Sequence, residues 1–195
     1  MMKDNSGERF LSTLGGCLIS LPHDLKVLFE AMSQEDFDRQ VRETVTGAIM
    51  YILSPRDTAP PDQLHLAYTD DVVLLRLVVR HATARGDEAA KAFAERFSEQ
   101  FKSLDEDLAV FRAYLGDTFR WIEAKVEGLP RMVYKGKRVR DYLDDEEAGA
   151  FLYEEGLSFS TDYEVDEEAV GRLKRPEPFR QYLERRMAED SHRLS

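Results

Sequence analysis

GAIMYILSPRDTAPPDQLHLAYTDDVVLLRLVV, residues 47–79, decides how this chain is read. Two apolar runs, 47–53 and 72–79, flank a connector at 54–71 that gathers three prolines and four aspartates. Apolar residues at helical spacing continue on both sides, so the connector is expected to turn the chain between two buried helices. Before it, Ser33 with Asp36 is read as a capping box. Phe37, Val41, Val45, Ile49 and Ile52 then recur at steps of three and four up to Leu53. After it, Pro60-Pro61 can open only a short turn through Leu66. Thr69 is expected to cap a helix that runs to Arg85 and ends at Gly86.

Working outward, Pro22 followed by Asp24 is placed as at a helix start, with a first helix continuing to Met32. Phe93, Phe97, Phe101, Leu104, Leu108, Phe111, Leu115, Phe119, Ile122 and Val126 keep one helical phase. That stripe is compatible with one long curved helix or with two, and Gly128 and Pro130 stop it. Lys135-Gly136 between β-favouring residues predicts a small hairpin. A helix over 145–155 stopped by Gly156 and a final helix over 178–189 are expected beyond it. The predicted fold is mainly α: a helical bundle built around a helix-turn-helix hairpin, with a small β-hairpin and short helices in the C-terminal third. Residues 1–130 form the helical domain and 131–195 an acidic α+β appendage packed on it.

Composition bounds the function. With 195 residues, 43% of them apolar, the chain can bury a core. Its net charge of -11 argues against nucleic-acid binding, which needs a basic face. Cys17 is the only cysteine, so no intramolecular disulfide forms, and a reducing, cytoplasmic setting is expected. Leu14 to Leu21 lacks the flanks of a signal peptide, and no apolar run reaches the roughly 18 residues of a spanning helix.

The connector resembles the hallmark of the YkvA-like family, a bacterial domain of unknown function. That hallmark is a helix, a Ser-Pro-x-Asp-x-x-Pro turn, and an Asp-Asp pair opening the next helix. Over residues 45–82, Ser54, Pro55, Asp57, Pro60, Tyr68, Asp70 and Asp71 stand at those places. The chain departs from the family at Pro61, where an acid is usual, and at Leu64 and Ala67, where Pro and Gly are common. The resemblance implies a helical hairpin with a rigid turn and implies no activity.

Two functional readings follow. In the first, the connector's residues are structural: Pro55 stops a helix, Asp57 satisfies turn donors, and Asp70 and Asp71 sit where the helix macrodipole favours negative charge. Arg76 and Arg80, four apart, can pair with acids of the turn or of a neighbouring helix. The protein is then a non-enzymatic interaction or regulatory module without a cofactor. Twelve acids lie between Asp141 and Glu168 with no Lys or Arg among them, and basic stretches flank the block. Tyr142, Phe151, Tyr153, Phe159 and Tyr163 are interspersed there as contact residues for a protein partner with a basic surface. In the second reading, Asp57, Asp62, Asp70 and Asp71 converge on Mg²⁺ or Ca²⁺, or His65 joins them around a transition metal, as in a metal-dependent hydrolase. His23, His81 and His192 are scattered and suggest no catalyst.

Overall fold

The computed structural model describes residues 5–55 and 64–193. It is mainly α with one two-stranded hairpin, as expected. Helix α1 runs over Ser6–Ser33, with Pro22 inside it and not at its start. The reason is packing: Phe10, Leu14, Leu18, Leu21, Leu25 and Leu28 keep one buried stripe across the proline. Proline has no amide to offer the Leu18 carbonyl four residues back. That carbonyl instead accepts the Tyr163 hydroxyl at 2.6 Å, from the far end of the sequence.

Helix α2 spans Arg39–Leu53 and is capped by Asp38, whose carboxylate accepts from the Gln40 amide at 2.7 Å. The box expected at Ser33 and Asp36 does not form, because α1 carries on through Ser33 and the Ser33 hydroxyl bonds back to the Phe29 carbonyl. Beyond the connector come α3 (Leu64–Ala67) and α4 (Thr69–Thr83). Tyr68, not Thr69, holds the N-cap position of α4 and makes no side-chain cap bond. Ser54, Pro55 and Tyr68 of the resemblance lie within the described residues; Asp57 and Pro60 lie outside them.

The long aromatic stripe is neither one helix nor two. It is divided among α5 (Glu88–Arg96), α6 (Leu104–Leu115) and α7 (Asp117–Lys125). Gly116 at φ +56° makes the α6–α7 break, a backbone state that glycine reaches without steric cost. A 3₁₀ turn over Val126–Arg131 then lays the Leu129 backbone on Gly47 of α2, where a Cβ would overlap the Leu129 carbonyl.

Strands β1 (Val133–Tyr134) and β2 (Lys137–Arg138) pair antiparallel, Val133 opposite Arg138. Lys135 and Gly136 both have positive φ, the turn that matches strand twist. Helices α8 (Val139–Asp144), α9 (Glu146–Asp162), α10 (Glu167–Gly171) and α11 (Glu177–Arg193) complete the chain. Gly156 does not stop α9. It lies mid-helix against the Phe29 ring, where a Cβ would collide, so it serves close helix packing.

One hydrophobic core collects residues from α1 to α11. Helix α1 is its axis, in contact with α2, α4, α6, α9 and α10. The C-terminal segments run back along it. Gly156 meets Phe29, Tyr163 meets Leu18, Val170 fits over Gly15, and Pro176 fits over Gly7. No described helix is long and apolar enough to cross a membrane.

Tyr163→Phe removes the hydroxyl that stands in for the missing Pro22 amide and is expected to cost about 1 kcal/mol, the usual value of a partly buried hydrogen bond. In a Pro22→Ala background residue 22 has its own amide, so the same substitution should cost clearly less. Denaturant titration of the four variants measures the coupling.

Candidate functional site

Two buried charged centres meet on α4. At its N-terminus, Asp70 is wholly buried and accepts from Arg186 Nη1 at 2.6 Å and from the Tyr51 hydroxyl. The Arg186 side chain, 21% exposed, reaches in from α11 and lies over the rings of Trp121 and Tyr182. Lys125 stands 4.1 Å over Trp121 and bonds Asp190 of α11 at 2.6 Å. The terminal helix is thus tied to the acid pair of the connector by an ion pair as well as by buried Phe179, Tyr182 and Leu183.

Two turns along α4, Arg76 is buried between Asp24 of α1 and Asp107 of α6, 3.1 Å from each. Ser20 and Gln100 each donate to Asp24 at 2.7 Å, and Ser103 donates to Asp107 at 3.2 Å. Burial pulls the Arg76 pKa down, but the neighbouring Cys17, Asp24 and Asp107 outweigh it and leave it above its ordinary value. The Cys17 thiol lies 4.0 Å from Asp107, and burial pushes its pKa up to about 12. Arg80 reaches Glu123 of α7 at 3.6 Å. Both arginines therefore pair with acids of neighbouring helices, one of the two alternatives the sequence left open.

The candidate metal ligands are not gathered by the described residues. Asp57 and Asp62 lie outside them. Asp70 is engaged by a cation and a phenol, Asp71 is wholly buried beside it, and His65 packs on the Phe179 ring at 5.7 Å. Among the described residues, no three His, Cys, Asp or Glu side chains are placed to hold an ion. The chemistry of both centres is that of fixed charge and filled hydrogen bonds, which orient helices.

The aromatic residues of the acidic segment divide. Tyr142 is core, its hydroxyl donating to the Tyr134 carbonyl at 2.7 Å. Phe159 and Tyr163 are half-buried and pack with Tyr68. Phe151 is 37% exposed beneath Lys135, and Tyr153 is 48% exposed, edge-on to Phe29. Sequence reasoning missed Leu157, 45% exposed one turn after Tyr153 at the α1–α9 seam. The signal was there: Tyr153 and Leu157 fall one residue after Leu152 and Gly156, which carry the buried phase.

Half of the twelve acids serve the fold itself. Asp141, Asp145 and Asp166 bond amides at the starts of α8, α9 and α10. Asp144 forms a forked pair with Arg39, which holds its carboxyl below the usual range. Glu155 accepts from Lys135 and Tyr134, bonds that lower its pKa, and Glu168 pairs with Arg172. Glu146, Glu147, Glu154, Asp162, Glu164 and Glu167 have no ion pair among the described residues.

Arg76→Met strands the buried Asp24 carboxylate and unpairs the partly covered Asp107, and is expected to destabilise the fold by about 3–5 kcal/mol in denaturant titration. Asp24→Asn, which keeps an acceptor for Ser20 and Arg76, should cost less. Cys17 adds a pH dependence. Its thiol ionises near 9.0 when exposed and near 12 in the fold. The unfolded chain therefore loses a proton first, and Cys17's contribution to stability falls from pH 9.0 towards 12. Cys17→Ala should flatten that slope, and the native thiol should resist Ellman's reagent at pH 8 until the chain unfolds.

Comparison with protein-family models, with curated proteins and with solved structures returns no match to this chain.

Proposed function

We propose that this chain is a non-enzymatic, cytoplasmic helical module of YkvA-like type that binds a protein partner through the α1–α9 seam. One observation carries the reading: Tyr153 and Leu157, 48% and 45% exposed, stand one turn apart on an acidic helix. Large apolar side chains exposed as a pair, rimmed by polar groups, are what anchors an interface. Glu154 lies between them in sequence, and Glu146 and Glu147 open the same helix. The complementary partner presents an apolar ridge flanked by Lys or Arg, with charge setting approach and register. A standard interface buries roughly 1,200–2,000 Å², so the pair forms its centre and the neighbouring α1 surface extends it.

The assignment to the YkvA-like type rests on the residues of 45–82, and the cytoplasmic setting on a single buried cysteine. The non-enzymatic reading is supported by the pairing of Asp24 with Arg76 and of Asp70 with Arg186, which holds these charges in helix packing.

A tagged chain and its Tyr153→Ser/Leu157→Ser variant, used to capture partners from their native cells at low and high salt, test the reading. The wild type should retain a basic partner at low salt and lose much of it at high salt. The variant, melting close to wild type, should not retain it. Equal capture by the two chains overturns the proposal.

A further inference from the structure

We propose that the groove bounded by α3, α10 and the start of α11 binds a free, small anionic amphiphile, a molecule with one carboxylate or phosphate head on an apolar body. Its volume is about 700 Å³, within the range of small-ligand sites. The floor is apolar: Leu66, Val165 and Phe179 are each at most 8% exposed and belong to the core, and half-buried Leu173 lies among them. The mouth is basic. Arg172, Lys174 and Arg175 alternate around Leu173 in a four-residue stretch, in a chain whose net charge is -11. His65 and Tyr68 add polar ring atoms to the wall.

The cations are held loosely. Arg172 pairs with Glu168, the two side chains 71% and 80% exposed; Arg175 lies 3.6 Å from Glu177; and Lys174 bonds only the Gly171 carbonyl among the described residues. Exposed pairs of this kind are worth little, so a ligand anion that also buries an apolar body displaces them. Asp162 and Glu164 line the groove as well. They repel an anionic head, so the head sits at the 172–175 end and the body runs along the floor towards 162–165. The same charge balance selects a single dissolved molecule over an anionic bilayer. Three cations at one mouth act within a Debye length, whereas an extended negative surface meets the chain's overall charge. The site is separate from the α1–α9 seam and does not rest on the partner proposal.

Calorimetric titration of the full chain with decanoate, decyl phosphate, decanol and decyltrimethylammonium, all below micelle formation, tests the proposal. Both anions should bind one per chain, decanol about tenfold more weakly, and the cation should give no heat. Arg172→Glu/Arg175→Glu changes two exposed side chains, 71% and 78% accessible, and should leave the melting temperature in place. It should weaken both anions by about tenfold and decanol not at all. Equal affinity for decanol and decanoate overturns the proposal, as does an unchanged affinity of the double variant for the anions. Retention on anionic vesicles without heat from decanoate overturns the choice of a free ligand.

Discussion

The arginine enclosed between Asp24 and Asp107 is the constraint on which the other helices depend. A guanidinium removed from water is tolerated only where its fork is met by carboxylates in the right plane. Here those carboxylates come from α1 and α6, far apart in sequence. Apolar side chains would allow α4 to rotate or slide by a fraction of a turn against its neighbours. The arginine removes that freedom, since a displaced Arg76 strands the buried Asp24 and leaves Asp107 unpaired from it. Ser20, Gln100 and Ser103 fill remaining acceptor sites, so the network is closed.

The Asp70 centre imposes a second constraint at the N-terminus of the same helix. Where Asp24 and Asp107 order the N-terminal half, Asp70 draws in Arg186 from the last helix. Phe179 and Leu183 bury on that helix about two turns and one turn ahead of the arginine, so apolar packing brings α11 in and the ion pair sets its rotation. Helix α4 therefore carries both anchors of the bundle, which is why the apolar run after the connector is so densely buried.

How much of this was legible beforehand depends on whether the cause was local. The apolar spacing along 37–53, the continuous apolar run at 72–79 and the Lys135-Gly136 turn are local properties and read correctly. Pro22 and Gly156 have the local signature of helix boundaries yet are interior, because each is excused by a residue more than a hundred positions away: Tyr163 for the proline, Phe29 for the glycine. Ser33 and Asp36 looked like a cap, but the apolar stripe of α1 outlasts that signal by packing. At the candidate site, the acids of the acidic block could not be sorted by composition into those that cap helices and those left to solvent, because that depends on where α8, α9 and α10 begin. Arg76 was singled out for its pairing, though its partners became clear only from the packing.

The bond from Tyr163 to the Leu18 carbonyl also orders events in time. Helix α1 is synthesised well before residue 163, with a proline at its middle and one carbonyl lacking an internal amide. Until residue 163 is made, water satisfies that carbonyl, while α2, α4 and α6 already have the stripe from Phe10 to Leu28 to pack on. One hydrogen bond of α1 therefore waits for a residue more than a hundred positions away. Helix α1 can thus be packed before it is fully hydrogen-bonded, and the return of residue 163 along it closes the carbonyl that Pro22 leaves open.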